Sequence, residues 1–185
     1  MDLIERVKGI VVEPRSEWVK IAAEPATVQS LYTGYIMILA AIGPLASLLA
    51  TRSIQVAIAQ YVLSLIVTFV MALIVDALAP SFGGAKDFLG SLKLTAYGYT
   101  VAWLAGIFSL LGIVGAALGL LATIYAIYTF FLGAPVLNKS SMDKAVPFTL
   151  VVVLCGIVLF VLARYAFAGM VMTPRMDAGF GLLMR

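Results

Sequence analysis

The sequence predicts an all-α integral membrane protein, with five transmembrane helices preceded by one or two short amphipathic interfacial helices. Three observations carry this expectation. Of 185 residues, 63% are hydrophobic and only 11% charged, with mean hydropathy +1.11, whereas a soluble domain carries about a quarter charged residues. A soluble chain of this size needs polar groups to cover its outer surface, and too few are present, so much of that surface faces lipid. The charges also bound long charge-free runs, each able to cross roughly 30 Å of hydrocarbon. One of these runs, Leu94 to Asn138, is far too long for a single crossing.

Residues 1–30 form the first unit, a cytoplasmic segment. Leu3, Ile4, Val7, Ile10 and Val11 recur at helical spacing, with Asp2, Glu5, Arg6 and Lys8 mostly on other faces. Pro14 is expected to end this helix and Ser16 to cap a second one bearing Trp18, Val19, Ile21 and Ala22. Pro25 closes it, and Thr27 can cap the next helix. Two such helices beside a membrane suggest an interfacial cuff with Trp18 as its anchor at headgroup level. The segment holds four basic and five acidic residues, so apolar burial rather than anionic lipid would hold it down. It is too long and too acidic for a secretory signal.

The membrane domain is expected over 31–172, with spans near 31–50, 54–79, 94–111, 114–137 and 146–172. Arg52 separates the first two, and the polar loops 80–93 and 138–145 bound the middle pair. A helix of the length of Leu94–Asn138 would measure roughly 67 Å, twice the hydrocarbon thickness. It must fold back, and Gly112 is the expected turn. A flexible extracytoplasmic tail is expected over 173–185.

Orientation follows the Lys and Arg count. Arg6, Lys8, Arg15, Lys20, Lys86, Lys93, Lys139 and Lys144 fall on the N-terminal side, against Arg52, Arg164, Arg175 and Arg185 on the other. The N-terminus is therefore expected inside and the C-terminus outside.

Catalytic readings find little to stand on. The sequence has no histidine and one cysteine, Cys155, which removes the commonest base, metal ligand and pH switch. Neither cofactor nor metal is expected, and no catalytic residue is assigned. Asp76 and Arg164 are the ionisable residues, tyrosines aside, within the spans. Each is expected near an interface, on opposite sides of the bilayer, so they should not pair. Ser64, Thr68, Ser109 and Thr123 are expected to bond back to helix carbonyls. The pI near 9.1 invites a nucleic-acid reading, but the net charge is only +3 and scattered, without the continuous basic face that phosphates require.

Packing residues are more informative. Gly115 and Gly119 form a small-xxx-small pair, with Gly112 three residues earlier, so backbones can approach closely there. This serves packing within the chain before homodimerisation. Tyr97, Tyr99, Tyr125 and Tyr128 concentrate on the third and fourth spans, where they could form a polar cluster or an aromatic belt.

The segment Tyr125-Ala-Ile-Tyr128-Thr-Phe-Phe-Leu-Gly133-Ala-Pro135, followed by Asp143-Lys144-Ala145 and Pro147-Phe-Thr149, resembles the fourth-to-fifth-helix signature of the Yip (Ypt-interacting protein) domain family. Ala96-Tyr97-Gly98-Tyr99-Thr100 and Trp103-Leu-Ala-Gly106 resemble its third helix. Gly83-Gly84 and Pro14-Arg-Ser16-Glu17-Trp18 fit its bacterial branch. Val101 stands where a proline is common, and Gly112 where another often marks the turn, so a proline-kinked third helix is not expected. The resemblance implies five membrane helices, a cytoplasmic N-terminus and, for this branch, the bacterial cytoplasmic (inner) membrane. In eukaryotes the family is linked to Rab-type GTPases and early secretory traffic, a role from which the short N-terminal segment sets this chain apart. The expected function is a non-enzymatic protein that organises or scaffolds membrane or a partner, with the lipid bilayer and a second copy or another membrane protein as partners. The alternative is a small permease or channel using the tyrosine-bearing face of the third and fourth helices.

Overall fold

The computed structural model describes residues 2–139 and 142–183, with side chains as far as Gly169 apart from that of Met142. All regular structure among them is helical. By length and apolar composition, four helical segments could cross a membrane: Val28–Thr51, Ile54–Phe82, Phe88–Leu137 and Asp143–Gly169.

Two short helices come first, α1 (Leu3–Val12) and α2 (Pro14–Ala23). Pro14 both stops α1 and opens α2 from its first position, where the missing N–H costs nothing. Ser16 is therefore already inside α2, and its hydroxyl bonds back to the Glu13 carbonyl instead of capping the helix as expected. Thr27 does cap the next element, in a reciprocal capping box with Ser30.

That element, α3 (Val28–Thr51), contains a π-helical turn at Tyr32–Ile36. It ends at Arg52, which takes the left-handed conformation (φ 53°) before Ser53 caps α4 (Ile54–Phe82). The last turn of α4 tightens into a 3-10 helix over Ala79–Phe82, closed by Gly83 at φ 78°. A side chain on Gly84 would lie 2.6 Å from the Asn138 carbonyl, and the next amide, of Ala85, donates to that carbonyl at 2.8 Å. The Gly-Gly pair thus lets this loop lie flat against the end of a later helix.

The long apolar segment Phe88–Leu137 is not one rod. It comprises α5 (Phe88–Gly98), α6 (Thr100–Leu104), a 3-10 turn (Ala105–Leu111) and α7 (Gly112–Leu137). Gly112 takes φ 57° and ψ −128°, backbone that only glycine adopts without strain. Gly90 then faces the Leu137 carbonyl, Gly98 faces Phe130, and Gly115 faces the Phe108 carbonyl. The paired positions move in opposite directions, so α5–α6 and α7 are antiparallel neighbours. The reversal falls where Gly112 was expected to turn. The third helix begins at Phe88, six residues before the expected 94, because Asp87 caps it. Lys93, assigned to the 80–93 loop, is consequently a buried helix residue.

The last helix, α8, is Met142–Leu183. It continues past 172, so residues 173–183, expected as a flexible tail, are helical. Ile10, Trp18, Ile21, Tyr35, Val75, Leu92, Tyr97 and Phe148 are among the residues that build the core. Ile58, Ile66, Leu120, Leu121, Leu154 and Val158 are exposed, the apolar outside of a chain whose solvent is lipid.

Candidate functional site

The densest polar arrangement lies where α1 and α2 fold onto the bundle. Arg6 is 3% exposed, and Glu17 is 1% exposed. One Arg6 Nη donates to Glu17 Oε1 at 2.6 Å and the other to the Glu24 carboxylate. Glu17 also accepts from Lys20 Nζ at 2.9 Å. Burying charges costs several kcal/mol per ion unless they pair and hydrogen-bond, and the buried Arg6–Glu17 pair does both. Gly9 makes it possible, because a side chain there would collide with the Glu17 carboxyl.

Lys93 approaches from α5. Its ammonium donates to the carbonyls of Ile21 at 2.9 Å and Glu24 at 2.6 Å. These are carbonyls at the C-terminal end of α2, which lack helical partners and carry the negative end of its dipole. The Arg6 guanidinium lies 5.6 Å from the Tyr97 ring centre, a cation–π distance. Tyr97 in turn packs against Trp18 and, at 4.5 Å between centroids, Tyr35. The Tyr35 hydroxyl and Thr100 Oγ1 are 2.6 Å apart.

Trp18 is the hydrophobic counterpart of this ionic cluster. Its indole N–H donates to the Thr129 carbonyl at 2.9 Å, and its ring occupies the space that any side chain on Gly133 would need. It is fully buried. The expectation of a headgroup-level anchor is therefore corrected: the apolar stripe of the arm (Ile10, Trp18, Ile21) packs on protein because Gly133 leaves a slot of the right depth.

The expected tyrosine cluster is divided. Only Tyr97 joins the ionic site. Tyr99 packs edge-on against Trp103. Tyr125 and Tyr128 pair with each other, and the Tyr125 hydroxyl donates to the Val11 carbonyl at 2.8 Å. Of the packing glycines, Gly112 is the turn and Gly115 lies against it, while a side chain on Gly119 would meet nothing within 4 Å. The small-xxx-small pair is thus not one packing surface within the chain. Close backbone approach occurs instead at Gly43 and Gly106, where a Cβ on Gly106 would be 2.8 Å from the Gly43 Cα. Pro135 lies inside α7 and Asp143 in the first turn of α8, while Lys144 reaches over Gly83. Asp76 faces inward on α4, and its Oδ1 has no partner among the described residues. Arg164 is exposed on α8. Ser64, Thr68 and Thr123 bond back to carbonyls of their own helices.

Most of the charged members of this site escape a periodicity reading. A signal existed: Arg6 and Glu17 each sit four residues before a buried isoleucine, Ile10 and Ile21, so opposite charges occupy the apolar stripes of two consecutive helices. The positions that lock the arm coincide with family motifs: Trp18, Tyr97 and Gly133 all lie within them. A model of the Yip1 domain matches residues 8–163. The chain belongs to the Yip1 domain family. Comparison with curated proteins and with solved structures gives no match. In this Yip1 domain the motif glycines have physical roles: Gly133 receives Trp18, and Gly83-Gly84 seats the loop after α4 against Asn138.

Proposed function

We propose that this Yip1-domain protein is a non-enzymatic organiser of membrane or of a membrane partner, crossing the bilayer five times with its N-terminus cytoplasmic. The fifth crossing comes from reading Phe88–Leu137 as two spans joined at Gly112. The residue that carries this reading is Gly112 itself, since its reversal leaves helices of single-crossing length on either side. The Lys and Arg distribution supports the orientation, and the bacterial cytoplasmic membrane is the proposed location.

The organiser reading rests on the arm. The tyrosines that a permease would use share no common face: Tyr97 is covered by Trp18 and Arg6, and Tyr125 is tied to the Val11 carbonyl, whereas the apolar outer faces of α4, α7 and α8 stay free for lipid or a partner helix. Crosslinking in native membranes, followed by co-purification, tests it. Recovery of a defined homo-oligomer or a membrane partner is the expected result. A solitary protein that also leaves liposome shape unchanged overturns the proposal. Reporter fusions test the topology independently: one at Lys86 should report cytoplasm and one after Arg185 the opposite side.

A further inference from the structure

A pocket of about 210 Å3 lies between the arm, the start of α3, and α5. Its polar lining is Arg6, Glu24, Ser30, Tyr35, Lys93 and Tyr97. The hydrogen bonding of these groups is incomplete in one direction. An ammonium has three N–H donors, and Lys93 uses two. A guanidinium has five, and Arg6 spends one on Glu17 and one on Glu24. The Tyr97 hydroxyl has no hydrogen-bond partner among the described residues, although the residue is 8% exposed. Three donor groups therefore have capacity left on one small cavity, which calls for an oxygen-rich acceptor such as a phosphate ester.

The charges narrow the choice. Arg6 is already paired with Glu17 deep in the protein, and Glu24 adds a carboxylate to the lining, its side chain 42% exposed. A dianion would meet this carboxylate, whereas a ligand carrying both phosphate and ammonium would satisfy both ends. Position supplies the source. Ser30 and Gly34 line the mouth and are exposed. They fall in the first two turns of the candidate span Val28–Thr51, roughly 3 and 9 Å below Val28 along the axis. That is where headgroups meet hydrocarbon. The π-helical turn Tyr32–Ile36 opens the helix here, and a Cβ on Gly34 would meet nothing within 4 Å.

We propose that this pocket binds the headgroup of an amine-bearing zwitterionic phospholipid, its phosphate held by Lys93, Arg6 and Tyr97 and its ammonium by Glu24. This goes beyond the organiser reading and does not require it. The test uses delipidated full-length protein in detergent, with native mass spectrometry for binding and thermal melting for fold. Phosphatidylethanolamine should be retained in preference to phosphatidylcholine, phosphatidylglycerol and diacylglycerol. Tyr97→Phe removes a hydroxyl that bonds to no other group among the described residues. It should leave the lipid-free melting temperature unchanged and weaken phosphatidylethanolamine roughly tenfold, the weight of one hydrogen bond to a charged acceptor. Gly34→Leu has room to fold and should close the mouth and abolish retention. Glu24→Gln should lose the preference over phosphatidylglycerol. Equal retention of diacylglycerol overturns the proposal, as does wild-type binding by both Tyr97→Phe and Gly34→Leu. Uptake of inorganic phosphate without any lipid overturns it too, by making the site one for a soluble anion.

Discussion

Arg6 and Glu17 form a pair that neither could leave without stranding the other's charge. Removing one partner of a buried ion pair costs about 3–5 kcal/mol, whereas replacing both with apolar groups of similar size is often neutral. Arg6→Met should therefore lower stability in a reversible detergent unfolding assay by about 3 kcal/mol. The double variant Arg6→Met/Glu17→Met should recover part of that loss, although Glu24 and Lys20 remain as bystanders. A double variant no better than the sum of the singles would mean that the pair is not the coupled unit described. Gly133 is the matching steric case. A methyl there would lie 2.6 Å from the Trp18 ring, and overpacking of this kind costs about 1–3 kcal/mol. Gly133→Ala should expose the arm to limited proteolysis within residues 1–24 while the bundle stays intact.

At the level of elements, the hairpin of α5–α6 and α7 separates two glycines that look alike in sequence. Gly115 sits against the Phe108 carbonyl with no space for a Cβ, while Gly119 faces open surroundings. Gly115→Ala should destabilise by roughly 1–3 kcal/mol, and Gly119→Ala should stabilise slightly, as alanine exceeds glycine in helix propensity. If melting temperature falls equally for both, the pair acts as one surface, in a dimer or otherwise. Gly112→Ala belongs here as well: forcing a side chain into its φ 57°, ψ −128° backbone costs about 1–3 kcal/mol. The turn was legible because forty-odd charge-free residues cannot cross a bilayer once. The start of α5 was not, because Lys93 looks like a loop charge until its carbonyl partners on α2 are known. Periodicity reports which residues share a face. It says nothing about which distant helix end supplies their hydrogen-bond partners.

For the whole molecule, the arm is the part on which sequence and structure part company. Its two helices and their apolar stripe follow from spacing alone, yet the surface that receives the stripe is assembled from α5 and α7, about a hundred residues later. An amphipathic helix reads the same whether lipid or protein covers it. The two cases differ in what reaches Trp18. On lipid, its fluorescence in a Trp103→Phe background would be quenched by spin-labelled phospholipid. Buried beside Gly133, it should be shielded. Quenching by labelled lipid would return the arm to the membrane surface.

The Trp18–Thr129 hydrogen bond joins residues 111 apart in the chain. At synthesis rates of about 5–20 residues per second, roughly 6–22 seconds separate their emergence from the ribosome. During that interval the slot that receives Trp18 does not exist, although the ionic partners Arg6, Glu17 and Glu24 have already emerged together. Docking is thus a late step of biogenesis, and it can occur only in chains that have delivered α7. A nascent chain halted before Thr129 should carry an arm that an added protease can reach, so closure of the arm doubles as a molecular record that insertion has gone to completion.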